Sequence, residues 1–289
     1  MADDPTMPRP VQAPPPPPPP PPPTRGSGAT RPSPTVRATW LAAGSVLAIL
    51  GLIISTLQVV GQIAHEEHEE SVRFNDPAIS VLDVSTDGGT VEVIGADVAD
   101  LRIEARVSDG LIETAFTSEV VGDRLHVRVR CRGVIVNEWC RAKLRIVVPR
   151  DLEVKVRSAS DSVTLRSLDG RVDAETGDGT VEAESLGGAT RLRSANGSVR
   201  GSRLRTSSVQ ADSDNGSVRL ELAVTPLSVI AHSDNGSVDV AVPRGDESYA
   251  VDARSGNGST DTLVRTDPAG QRRIVASTSN GNITVRYVE

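Results

Sequence analysis

From about Val81 to the C-terminus, apolar and polar residues alternate with period two. Examples are Val91-Glu92-Val93, Leu101-Arg102-Ile103-Glu104-Ala105-Arg106-Val107 and Leu125-His126-Val127-Arg128-Val129. This periodicity predicts half-buried strands and an all-β domain. Between strands a short turn motif recurs: STDGGTV from Ser85, TGDGTV from Thr176, SANGSV from Ser194, SDNGSV from Ser213 and Ser233, SGNGST from Ser255 and TSNGNI from Thr278. A degenerate copy, SASDSV, starts at Ser158. The starts at 158, 176, 194, 213, 233, 255 and 278 lie 18, 18, 19, 20, 22 and 23 residues apart. A period near that length predicts stacked structural units. In each turn Asn-Gly or Asp-Gly suits a tight bend, and the following Ser-Val or Thr-Val starts a strand with Val inward. Small inward pairs such as Val172 and Ala174, Val181 and Ala183, and Val209 and Ala211 call for a narrow interior. The reading is a β-solenoid rather than a wide sandwich, roughly ten coils at about 4.8 Å each and a rod near 50 Å long. Its last strand is expected around Ile283, Val285 and Val288.

The repeated NGSV-like turns at Asn196, Asn215, Asn235 and Asn257, together with an apolar segment ahead of the repeats, resemble the bacterial family of putative adhesins built from β-strand repeats. The resemblance covers about residues 80–289 and implies a single-stranded β-helix in the cell envelope, with no catalytic residue or ligand to carry over. Asn196, Asn215, Asn235, Asn257 and Asn282 also begin Asn-x-Ser/Thr sequons, but their fixed place in the motif is accounted for by turn chemistry.

The N-terminal part follows different rules. Residues 1–37 hold the unbroken run Pro14 to Pro23 and almost no large apolar side chain, which predicts a disordered tail with a stiff polyproline stretch. Residues 38–63 carry no charge, and the roughly 20 residues from Leu41 to Val60 suffice for a helix across a hydrocarbon layer of about 30 Å. The long leader and the length of the apolar stretch favour an uncleaved signal-anchor over a cleaved signal peptide. Arg9, Arg25, Arg31 and Arg37 precede this helix, whereas Glu66, Glu67, Glu69 and Glu70 follow it. The positive-inside rule then makes the N-terminus cytoplasmic and the repeats extracytoplasmic, a single-pass membrane protein with the bilayer as its first partner. Residues 64–78, including His65-Glu66-Glu67-His68-Glu69-Glu70, are expected to form an acidic, solvated linker, and residues 79–289 the β-repeat domain.

Cys131 and Cys140 flank RGVIVNEW. Pairing residues whose numbers sum to 271 sets Cys131 against Cys140, Val129 against Ala142, Val127 against Leu144 and Leu125 against Ile146. This predicts a hairpin with one apolar face, closed by a structural disulfide suited to an oxidising compartment. Its other face would oppose Arg130 to Arg141, Arg128 to Lys143 and His126 to Arg145. Directly opposed like charges destabilise a sheet, so neighbouring acids or a bound anion must neutralise them. Arg128, Arg130, Arg141, Lys143 and Arg145 are therefore the candidate site for an anionic envelope polymer or lipid.

Composition narrows the alternatives. Six aromatics in 289 residues and a net charge of -7 argue against a stacking or phosphate-tracking nucleic-acid binder. No Walker lysine, GxSxG or HExxH motif occurs, so neither an enzyme nor a cofactor or metal requirement is expected. Two functions remain: an envelope binding or adhesion protein that takes an anionic envelope polymer or a surface protein as partner, or a single-pass signalling component whose proline-rich tail recruits a cytoplasmic partner.

Overall fold

The computed structural model describes residues 66–109, 113–132 and 141–288. The proline-rich tail of residues 1–37, the expected membrane helix of residues 38–63 and Cys140 lie outside the described residues. Among the described residues no helix is long and apolar enough to cross a membrane.

The described chain is all-β, arranged as two large mixed sheets over one apolar core. Sheet one has eleven strands in the spatial order β1 (Glu66–Phe74), β4 (Leu101–Asp109), β7 (Arg141–Pro149), β3 (Thr90–Ala96), β9 (Val163–Arg166), β11 (Val181–Glu184), β13 (Val199–Leu204), β15 (Val218–Leu222), β17 (Val238–Val242), β21 (Ile283–Tyr287) and β19 (Thr260–Thr262). Sheet two has ten, in the order β18 (Ala250–Asn257), β20 (Arg273–Asn280), β16 (Ser228–Ser233), β14 (Ser208–Ser213), β12 (Thr190–Ser194), β10 (Val172–Thr176), β8 (Glu153–Ser158), β2 (Val81–Thr86), β6 (Arg124–Arg132) and β5 (Glu113–Val121).

From β8 to β17 the chain changes sheet at every turn, and each strand pairs in parallel with the strand two further along. Each repeat of about twenty residues thus supplies two strands, one to each sheet. The expected inward residues are buried: Val172 and Ala174 at 1% and 0% exposure, and Val209 and Ala211 at 1% and 0%.

The turn motif is explained by two hydrogen-bond systems. The motif Ser or Thr ends its strand pointing inward; Ser194, Ser213 and Ser233 are fully buried. Each hydroxyl donates to the carbonyl of the turn glycine in the neighbouring repeat, Ser194 to Gly179 at 2.7 Å, Ser213 to Gly197 at 2.8 Å and Ser233 to Gly216 at 2.8 Å. The Ser194 and Ser213 hydroxyls also accept from the amides of Gly197 and Gly216, both at 2.8 Å, so buried polar atoms are satisfied within the motif. Outside them runs an amide ladder. Asn196 Nδ2 donates to Asp178 Oδ1 at 2.7 Å, Asn215 to Asn196 at 2.8 Å, Asn235 to Asn215 at 3.0 Å, Asn280 to Asn235 at 2.9 Å and Asn257 to Asn280 at 2.9 Å.

Both ends of the stack depart from chain order. At one end β20 and β21 insert between β16–β17 and β18–β19, so the C-terminal strand expected to finish the stack lies inside it. At the other end β2 and β3 lie between β8–β9 and β6–β7. There the parallel arrangement gives way: β5 runs antiparallel to β6, and β1 and β4 extend sheet one in antiparallel fashion.

The acidic segment expected to be a linker contributes strand β1. Val72 and Phe74 alternate with the exposed Ser71 and Arg73, and that short period-two stretch pairs with β4, where Phe74 faces Leu101 in register. The acidic run masks the apolar alternation at its C-terminal end. Among the described residues, Glu66–Phe74 therefore belong to sheet one.

Tyr249 is 1% exposed and bridges to Thr266 just ahead of β18. Burial pushes its phenol above the ordinary value of 10.0, with the nearby Arg272 charge opposing only part of the shift. Stability from this group is complete below pH 10 and falls as pH rises through the folded-state value. In a Tyr287→Phe chain Tyr249 is the sole remaining phenol of two. Its absorbance titration should have a midpoint above 10; a midpoint at or below 10 would contradict the burial argument.

Candidate anion-binding face

The expected hairpin between residues 124–132 and 141–149 does not form. β6 lies in sheet two between β2 and β5, whereas β7 lies in sheet one between β3 and β4. The apolar alternation is retained, because Leu125, Val127 and Val129 on β6 and Ala142, Leu144 and Ile146 on β7 are all buried. They belong to two sheets that share a core, not to one ladder. Either pairing buries the same residues, so hydrophobic pattern alone does not choose between them. The five basic candidates are consequently divided: Arg128 and Arg130 stand on β6, and Arg141, Lys143 and Arg145 on β7 in the other sheet. Cys131 is on β6 at an inward register position, opposite Thr114, and no cysteine among the described residues is free.

On sheet one the neighbours of β7 carry acids. Arg145 stands in register with Glu92 of β3 and Glu104 of β4, and its guanidinium is 3.7 Å from Glu92. The network continues from Glu92 to Arg166 at 2.8 Å, to Glu184 at 3.3 Å and on to Arg203. Neighbouring acids thus neutralise Arg145, one of the two outcomes the sequence left open. Lys143 is in register with Thr90 and Arg106 and is exposed.

On sheet two the balance is reversed. Asp83 of β2 is shared by Arg124 at 3.5 Å, His126 at 3.7 Å and Arg157 of β8 at 3.7 Å. One carboxylate serves three basic side chains. Arg128 is flanked in register by Ser85 and Thr117; Arg130 is flanked by Ala115 on β5 and on its other side by Asp87, just past β2, whose carboxylate accepts from the Cys131 amide at 3.4 Å. Both are exposed, and among the described residues neither makes an ion pair. Glu119, opposite His126, and Glu113, in register with Arg132, are the acids of β5 in this row. In the β5–β6 turn Asp123 accepts a 2.6 Å hydrogen bond from Ser80, which holds its carboxyl below the ordinary carboxylate value.

The outward face of β6 with Arg157 is therefore a cationic surface with two unpaired guanidiniums, suited to oxyanions. Sequence reasoning missed Arg157, because its approach to β6 depends on β2 lying between β6 and β8, out of chain order. Among the described residues no group of three or more His, Cys, Asp or Glu side chains is placed to hold a metal ion.

No family model matches the chain, and no curated protein sequence matches it. Solved structures similar to it include a putative cell adhesion protein from Clostridium sporogenes, with 10% identity and a TM-score of 0.37, covering 77% of this chain and 100% of that one. A putative adhesin from Bacteroides fragilis matches with 18% identity and a TM-score of 0.35, covering 77% and 98%. A putative lipid binding protein from Parabacteroides distasonis matches with 13% identity and a TM-score of 0.27, covering 77% and 97%.

Proposed function

We propose that the protein is a non-catalytic envelope binding protein whose two-strand repeats form a β-solenoid held outside the cytoplasm by the apolar segment 38–63, with the proline-rich residues 1–37 as a cytoplasmic tail. Its ligand is an anionic envelope polymer or lipid headgroup, taken by the outward face of β6. The observation that supports this reading is the exposed pair Arg128 and Arg130, neither in an ion pair among the described residues, beside a basic cluster that shares a single aspartate. The parallel pairing from β8 to β17 supports the solenoid, and the charge-free stretch followed by four glutamates supports the anchor and its orientation.

Each basic side chain near an anionic surface contributes about 1 kcal/mol, so an R128A/R130A chain should bind about 30-fold more weakly at low salt. The test uses the full chain in neutral nanodiscs, with phosphatidylglycerol vesicles and soluble polyphosphate as separate probes. K143A/R145A should bind either probe as the parent does. Equal losses in the two double variants, or salt-insensitive binding, would remove β6 as the site.

A further inference from the structure

The two sheets end in four edge strands, β1 and β19 in sheet one and β5 and β18 in sheet two. Exposed edges offer unpaired backbone groups to other strands, and proteins blunt them by shortness, charge or irregularity. β19 is three residues long, β1 carries the acidic run, and β18 contains Asp252, Arg254 and Gly256. β5, ETAFTSEVV, is different. It spans nine residues without Lys, Arg, Pro or Gly, holds its two charges, Glu113 and Glu119, six residues apart, is rich in strand-forming Thr, Phe and Val, and leaves Val121 54% exposed.

We propose that the β5 edge is the interface for a second copy of this chain, the two β5 strands pairing antiparallel about a two-fold axis at Thr117. The antiparallel pairing of β5 with β6 fixes the faces. Ala115, Thr117 and Glu119 stand opposite Arg130, Arg128 and His126 on the outward face, whereas Phe116, Ser118 and Val120 stand opposite Val129, Val127 and Leu125 on the core side. With Thr117 on the axis, Glu113 is set against Val121 of the other copy, Ala115 against Glu119, and Phe116 against Ser118. All nine residues pair, and no acid meets an acid. An axis at Glu119 would oppose like carboxylates, and one at Ser118 would leave Glu113 and Thr114 unpaired. Two-fold self-pairing of this kind is the ordinary closed symmetry of dimers.

The dimer would also join the cationic faces. Across β6, β5 and their two mates, the Arg128 rows stand three strand spacings apart, about 14 Å. A polyanion of modest length could then engage both copies. The pairing itself does not depend on the ligand reading, and its test contains no ligand.

Thr117 is exposed on the outward face, so substitution there spares the core. Full chains carrying Thr117→Cys, Ala115→Cys or Glu119→Cys would be oxidised in detergent and resolved on non-reducing gels. A covalent dimer is expected from Thr117→Cys alone and from Ala115→Cys mixed with Glu119→Cys. Ala115→Cys alone, whose two copies lie four residues off register, should give little. Thr117→Glu, with unchanged strand content by circular dichroism, should raise the dimer dissociation constant about fivefold by opposing carboxylates on the axis. Monomeric sedimentation of the parent chain, or equal cross-linking of Thr117→Cys and Ala115→Cys, would overturn the proposal.

Discussion

Gly216→Ala should lower unfolding stability by about 3 kcal/mol, the upper part of the range for overfilled packing. A Cβ at Gly216 would overlap the carbonyl of Gly197, which is backbone and cannot rotate aside. That carbonyl also accepts the Ser213 hydroxyl, whose oxygen in turn accepts the Gly216 amide. Displacing the turn therefore strains both hydrogen bonds. Gly197 and Gly236 face the same restriction from the turns of their own neighbours, Gly179 and Gly216. Gly245 is the control: it is exposed, a Cβ there would meet nothing within 4 Å, and Gly245→Ala should change stability little. Urea unfolding of the two variants checks the contrast. Equal midpoints would mean that the turns yield by moving apart.

Leu220→Ala should cost more, about 3–5 kcal/mol, in the upper part of the range for buried leucine truncation. Leu220 is fully buried on β15 and stands in register with Gly201 on one side and Val240 on the other. Gly201 has no side chain, and the space beside it is filled by the ends of Leu204 and Leu220, which a Cβ at that position would meet at 2.7 and 3.0 Å. Truncation leaves a cavity beside Gly201 that, on the glycine side, only a shift of the Leu204 side chain could fill. Parallel pairing on both flanks fixes the strand spacing and limits relaxation. Val240→Ala, with a smaller volume change, should cost less in the same urea series. The reverse order would show that the core repacks freely.

The regular part of the molecule was legible because one motif carries its whole hydrogen-bond scheme. The period, the inward Val and Ala residues and the turn positions of Asn196, Asn215 and Asn235 all follow from the sequence. Partner choice at the ends did not. Leu125, Val127 and Val129 are buried whether β6 pairs with β7 or faces it across the core, and the arithmetic that aligned Cys131 with Cys140 favoured the local hairpin. Resolving that choice required β2 and β3, some forty residues upstream of β6, to claim the places beside β6 and β7. For the candidate site the residue types were legible and their grouping was not. Arg128 and Arg130 stayed together because they share a strand, while Lys143 and Arg145 went to another sheet and Arg157 joined from β8. Strand β1 escaped notice because its apolar alternation is only two residues deep and follows a run of glutamates.

The insertion of β20 and β21 ahead of β18 and β19 ties assembly of this end to the order of synthesis. When residue 262 leaves the ribosome, β18 and β19 exist but the strands on which they rest do not. Residues through 287 must emerge before that seat is built, and the emerging segment must enter between pieces of chain made earlier. Nascent chains therefore carry an incomplete end until residues 273–287 have emerged, and a stop codon between residues 262 and 273 removes an inner layer of the stack instead of trimming its tip.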